Sequence, residues 1–511
     1  MKYDAIVIGS STGGLVSALT LQKAHKKVLL LEANSFPGEY TTSFVRGRFE
    51  FDVSFNELLC FGTESSHGEL YELFERLNLL KHMNFCKGPQ NYVIYLSDTD
   101  ETFELPFSVS DFILKMEEYV PDSKESMHDF FELAREVLDG LSYIVHSKEE
   151  FDETFLKQNY PNFMKVSAYS VDEVMKHLHM PKKAQDILCA YWVSFGSPTS
   201  TLSFVSFASA FYSFIKYGIW SSSSKSSSIA SSLIDEFEQS GGEVQYLSRV
   251  VEIMMSENQV IGVRCDDGRK YQASYIVSNV SPTTFYGTLL PASFRDERMN
   301  RLCNSRTLGA QGLSIYLGLN CSVEDLGLNH YRYFLFHSFD RHKEYLHMKE
   351  MYHTTCQAVV LNLANPHCSP KGTTIIQISS FYPEEIFSKY VNEENYFEVK
   401  SKIADTFISA LEQATHVSIR DAIEEIEVAT PVTFARYGGH PNGSIFGYMA
   451  KGYDNFLPRV MNAKNENIFS NVRFCGIFGS HIASCNDSYF DGEEVALEIL
   501  KEMKGDLTHE Y

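Results

Sequence analysis

Near the start of the chain, Gly9-Ser10-Ser11-Thr12-Gly13-Gly14 has the residue types and spacing of a loop that holds a pyrophosphate. In a strand–loop–helix unit the first glycine makes the turn, the second lets backbone approach the phosphates, and the third lets helix pack on sheet. Gly9 and Gly14 supply the first and third roles. Ser11 stands at the close-approach position, where its hydroxyl can itself donate to a phosphate. Glu32, followed by Ala33, lies 23 residues after Gly9, where an acid accepts hydrogen bonds from the ribose hydroxyls of an adenosine. Loop and acid together predict dinucleotide binding.

A second set of reactive types lies late in the chain. His440 precedes a Pro441-Asn442-Gly443 turn, and His481 lies in "HIASCNDSYFD"; an imidazole at either place can act as acid or base, or serve only structure. Asp487, Asp491, Glu493 and Glu494 can tune a cofactor, although acids in a first helical turn also arise from the helix dipole alone. Tyr489 and Phe490 either face substrate or pack the sheet.

The elements that position these residues follow from periodicity. Residues 3 to 8 are a short apolar β-branched run, 13 to 25 suit a helix, and 27 to 33 form a second buried strand, which makes a βαβ unit. Residues 66 to about 190 read as an inserted, mostly helical region. The serine run at 221 to 232 reads as part of a helix, because Ile229, Leu233, Ile234 and Phe237 follow at helical spacing and "SGGEV" closes the element. From 243 to 279, breaks at Glu257-Asn258 and Asp267-Gly268 predict three successive strands, and 311 to 430 mixes strands with a helix over 393 to 414. A terminal helix is expected from 492 to about 503. The aromatic stretch 204 to 220, with Phe204, Phe207, Phe211 and Phe214, is expected to line either a pocket or a core.

At 511 residues the chain exceeds one ordinary core, so two or more domains are expected. Forty-four basic against sixty-six acidic side chains give a net charge of -22, which opposes nucleic acid and anionic lipid as partners. At most peripheral membrane contact is expected, because no window is apolar enough to span a bilayer. The ten cysteines show no paired metal-site spacing, so no metal is expected and a reducing, cytoplasmic compartment fits.

Beyond the first βαβ unit, "EANSFPGEYTTSFVRGRFEFDVSFNEL" at 32 to 58 resembles the E-x-x-x-x-P-G-G and G-F-x-F-D segment of FAD-dependent phytoene desaturases, carotenoid isomerases and retinol saturases. Residues 232 to 285, with Val250 and Ile253, are similar to the same family's second cofactor segment. The stretch "ATPVTFARYGGHPNGSIFGY" at 429 to 448 resembles the isomerase and saturase branch. This resemblance implies an α/β chain: a glutathione-reductase-type, Rossmann FAD-binding domain of residues 1–65, 216–290 and 431–511, interrupted by an α+β substrate domain of 66–215 and 291–430. It implies FAD along Gly9, Ser11, Thr12, Gly13 and Gly14, with Glu32 and Ala33 at the ribose and Val250 at the adenine. It also places Gly476, Asp491, Gly492 and Glu493 at the flavin, where a helix start offers free N–H groups. The substrate implied is a lipophilic polyene or unsaturated acyl chain; Asp491, Tyr489 and His440 are the catalytic candidates.

Four positions depart from the family pattern. Ser11 replaces a glycine, Glu39 replaces the second glycine of P-G-G, "SSSSKSSS" stands where the family has a P-x-G-G turn, and the late loop has lost its glycines. If FAD binds, Glu39 is expected to point away from the pyrophosphate, with Arg46 as one conceivable partner. A non-enzymatic binder of lipids or prenyl groups on the same fold is the alternative reading. Oligomeric state is left open.

Overall fold

The computed structural model describes residues 2–55, 57–147, 152–305, 307–449, 467–479 and 486–504. Lys2–Ile8 is the central strand of a seven-stranded sheet, parallel to Val28–Leu31 on one side and to Lys270–Ser278 on the other. Its residues from Ala5 to Ile8 are buried, as a parallel strand covered on both faces requires. Glu243–Gln245 extends the sheet beyond Val28–Leu31, and Val472–Phe474 adds in parallel to Lys270–Ser278. Segments from the start, middle and end of the chain therefore meet in one sheet.

Three helices cover one face: Thr12–Lys23, Ser227–Gln239 and Asp487–Met503. Leu15, Leu19, Ile229, Leu233, Phe237, Val495 and Ile499 form the core between them and the sheet. The antiparallel strands Val250–Ser256, Gln259–Cys265 and Lys270–Ser278 break where expected, at Glu257 with φ +53° and at Gly268 with φ +86°.

A second seven-stranded sheet runs in the order Ile423–Ala429, Gln311–Leu319, Thr374–Tyr382, Cys356–Val360, Arg332–Phe336, Asn91–Leu96 and Glu101–Pro106. The long helix Tyr396–Thr415 packs Val399, Ile403, Phe407 and Leu411 against it.

Three sequence readings change, and a fourth, left open between pocket and core, resolves to core. The helical insertion contains the hairpin Asn91–Leu96 and Glu101–Pro106, two strands of the second sheet. Only the later part of the serine run is helical: Trp220–Ser222 is a strand paired with Phe85–Lys87, and the helix starts at Ser227 after a turn at Lys225. The last helix begins at Asp487, five residues before Gly492, so only Asp487 lies in its acidic first turn. Phe204–Tyr217 is a core helix: Phe211 is fully buried among Phe107, Phe112, Phe130, Phe131, Tyr191 and Phe207. No helix among the described residues is long and apolar enough to cross a membrane.

Candidate functional site

The loop after the first strand has the backbone of an anion cradle. Gly9 sits at φ +93°, and a Cβ on Gly14 would lie 2.1 Å from the Gly9 carbonyl oxygen, so only glycine permits this turn. Amides in the first turn of a helix have no intrahelical acceptor, and the Ser11 side chain does not cap them. They are left for an anion, and the dipole of Thr12–Lys23 favours one there. Thr12 Oγ1 meets Thr41 Oγ1 at 3.0 Å, which ties the cradle to the segment after Gly38.

Glu32 is 6% exposed and oriented by the loop itself. Its Oε2 accepts from Ser10 N at 2.9 Å and Ser10 Oγ at 2.5 Å, and its Oε1 accepts from Asn34 N at 2.7 Å. A carboxylate offers about four lone-pair sites, so one on Oε1 remains for a ribose hydroxyl. Ala33 is half-buried beside it. The Ser248 amide donates to the Glu32 carbonyl at 2.8 Å, which brings the start of Val250–Ser256 alongside. Ser10 was missed by sequence reasoning, because a serine in the variable position of the loop carries no signal until Glu32 is seen to reach it.

At the other end of the cradle the glycines make a tight seam. A Cβ on Gly13 would lie 2.6 Å from Gly476 N, and one on Gly492 would lie 2.4 Å from the Gly13 carbonyl oxygen. The first helix, the Gly476 turn and the last helix thus touch backbone to backbone. Gly492 lies inside the last helix, not at its start. Asp491 is 0% exposed, and its Oδ2 accepts the Gly476 amide at 2.7 Å. A Cβ on Gly479 would collide with that carboxylate at 2.0 Å, so Gly479 makes room for it.

The other late candidates separate. Glu493 pairs with Arg76 at 2.9 Å. Tyr489 is buried with its ring 5.2 Å from Phe74, in the core of the first sheet. His481 lies outside the described residues.

The partner of Glu39 is His440, not Arg46. His440 Nε2 meets Glu39 Oε1 with both side chains largely buried, while Arg46 pairs with Glu427 at 2.9 Å on the surface. Glu39 holds φ +53° to make this contact, the left-handed region that the family's glycine adopts freely. The His440 ring lies 5.1 Å from Phe478 and 5.5 Å from Tyr40, and Tyr448 lies 5.2 Å from Phe478. Residues 440–448 are therefore packed directly on the Gly476 turn.

Such a fold and cradle define a dinucleotide-binding flavoprotein oxidoreductase. The profile of the flavin containing amine oxidoreductase family matches residues 12–312, and the chain belongs to that family. It is 24% identical over 493 residues to the all-trans-retinol 13,14-reductase of Danio rerio, spanning 91% of this chain and 80% of that protein. It is 26% identical over 479 residues to the chloroplastic prolycopene isomerase of Daucus carota, spanning 88% and 72%. Putrescine oxidase bound to putrescine shares the fold, with a TM-score of 0.64 at 12% identity over 98% of this chain and 99% of that one.

The cofactor is FAD, and the residues present fit it. The cradle needs Gly9 and Gly14 without side chains, Glu32 keeps an acceptor site, and the two extra acids are each held by a local donor.

Proposed function

We propose that this flavoprotein acts on carbon–carbon double bonds of a lipophilic polyene, on the saturase and isomerase side of its family. The observation that carries the reading is the placement of residues 440–448, which bear the branch resemblance. A Cβ on Gly447 would lie 2.2 Å from the Ile477 carbonyl oxygen, so this stretch is seated against the cofactor turn. Similarity to a retinol reductase and a prolycopene isomerase over most of the chain supports the same substrate class. When bound, FAD supplies hydride exchange for saturation or desaturation, or in reduced form a route to isomerisation without net redox change.

The chain's own contribution is to bind, orient and exclude water. Ser11, Thr12, Gly13 and Gly14 hold the pyrophosphate, Glu32 holds the adenosine ribose, and Val250 lies at the adenine. Tyr40, His440, Tyr448 and Phe478 form an aromatic wall beside the Gly476 turn. Saturating a double bond takes a proton as well as a hydride. Of the three candidates, Tyr489 faces the core and Asp491 is held by the Gly476 amide, which leaves His440, oriented by Glu39, to hold that proton. The two-domain division at 65/66, 215/216, 290/291 and 430/431 belongs to the same proposal.

The test is anaerobic turnover of a conjugated polyene by the reduced holoenzyme in deuterated water. Saturation shortens the conjugated system, moves its absorption to the blue and incorporates solvent deuterium. Isomerisation keeps the number of conjugated double bonds and the mass, and its product separates by chromatography. Recovery of unchanged polyene from retinoid, carotenoid and polyunsaturated acyl substrates alike would overturn the reading.

A further inference from the structure

The second sheet carries an opening on the face toward Phe204–Tyr217. Along Thr374–Tyr382 every residue is buried except Ser379, although the strand has partners on both sides. Gln377 and Phe381, which point to the same face, are 1% and 2% exposed. The turn Cys189–Phe195 shows the same contrast: Cys189 to Val193 are buried, whereas Ser194 and Phe195 are not. These open positions belong to one rim. Ser194 Oγ donates to Gln357 Oε1 at 3.3 Å, and Gln357 is the cross-strand neighbour of Ser379. Phe381, two residues on, meets the Phe446 ring edge-on at 5.8 Å. Phe446 lies against Gly196, two residues after Ser194, which closes the circuit, and it is itself only half-buried.

Phe446 joins this rim to the cofactor turn, and it is fixed there. The Ile445 amide donates to the Ala310 carbonyl at 3.1 Å and the Gly309 amide to the Gly447 carbonyl at 2.7 Å, so residues 445–447 are pinned beside 309–310. A Cβ on Gly196 would lie 2.2 Å from the ring's Cδ2, and one on Gly309 would lie 3.0 Å from the Phe446 Cβ. Main chain backs the ring directly, so a ligand cannot push it aside. Gly447, the next residue, is seated on the Ile477 carbonyl.

The polar oxygens of the rim are already paired. Gln357 Oε1 also accepts from Arg332 Nη1 at 2.7 Å, and Ser379 Oγ meets Ser314 Oγ at 3.0 Å. The half-buried surface that remains is led by the rings of Phe195 and Phe446, which suit flat, uncharged hydrocarbon and give it no anchor along its length. A chain in such a place is located by where its end is stopped. We propose that Phe446 is a specificity-determining residue: its ring limits how far a polyene advances at the cofactor turn, and so selects the double bond presented for reaction. This rests on the polyene reading above.

The test reads the position of reaction, which a merely structural ring would not move. FAD-loaded protein is reduced and given all-trans-retinol, lycopene or parinaric acid, and the altered double bond of each product is located by NMR. The unmodified protein is expected to act mainly at one bond of the chain. Phe446→Ala removes the stop and lets the chain advance, so the ratio of reaction at the next bond from the leading end to reaction at the original bond should rise about tenfold or more, the discrimination that apolar wall supplies. Phe446→Leu keeps an apolar side chain and should give a smaller rise in the same direction. The flavin spectrum and the thermal midpoint of each variant report its folding. An unchanged product ratio in variants that keep their flavin would make the ring mere packing, and would overturn the proposal while leaving the polyene reading intact. Loss of flavin from both variants would overturn it likewise, by assigning the ring to the fold. No product from any of the three polyenes with the unmodified protein would overturn both.

Discussion

Glu39→Gly restores the glycine of the family pattern, yet the structure predicts that it destabilises the protein. Glycine relieves the left-handed backbone at φ +53°, which costs an ordinary residue about 1–2 kcal/mol. Its greater freedom in the unfolded chain offsets about 0.5–1 kcal/mol of that. Against this, His440, 5% exposed, loses its acceptor. An unsatisfied neutral imidazole costs about 1–3 kcal/mol, and a buried cation stripped of its partner about 3–5 kcal/mol. At mid-range values the net is a loss of about 1 kcal/mol for a neutral ring and about 3 kcal/mol for a charged one. Pairing the change with His440→Phe removes the orphaned polar ring and keeps an aromatic group against Tyr40 and Phe478, so the double variant should regain most of the loss. Denaturant unfolding of the four proteins, with flavin absorbance as a second probe, gives the coupling directly. Additivity of the two substitutions within about 0.5 kcal/mol, with Glu39→Gly no less stable than the parent, would refute the role assigned to the pair.

Three further predictions rest on separate observations. Glu32→Ala removes the acceptor of Ser10 and Asn34 as well as the ribose site, so FAD retention should weaken by at least about 1.5–3 kcal/mol, read as the dissociation constant of added FAD. His353 is buried, and burial pushes its pKa down to about 3 from the ordinary 6.5. With the folded value below the unfolded one, its stability contribution is complete above about pH 6.5 and is lost as pH falls towards about 3, which amounts to about 2 kcal/mol at pH 5. His353→Leu should flatten that part of the stability profile; an unchanged acid limb would contradict it. Phe211→Trp overfills a ring-packed core and should cost about 1–3 kcal/mol of stability, measured by thermal unfolding, whereas loss of turnover at full stability would reinstate a channel wall there.

The dinucleotide half was legible because its requirements are local. A glycine at a forced turn, a β-branched strand and an acid at the end of the next strand lie within one βαβ unit. The three-strand run from 250 to 278 was legible for the same reason, with polar turn residues at both breaks. What was hidden depends on distant contacts. Residues 91–106 alternate as a hairpin, but the charged helical texture on both sides masked them, and only the second sheet gives them partners. Glu39 and His440 are 401 positions apart, so a lost glycine showed as a departure without showing its compensation. Lys225 lay in a low-complexity serine run, where neither its turn geometry nor its burial can be read from periodicity. The last helix was placed late because the family's helix-opening glycine was matched to Gly492, which here lies inside the helix.

The visible absorption spectrum of the purified protein tests the central claim most directly, that this cradle holds FAD. The account predicts bands near about 370 and about 450 nm that bleach on anaerobic reduction and disappear, with loss of the bound nucleotide, in Glu32→Ala. A folded protein that is colourless and stays so after incubation with FAD would contradict it.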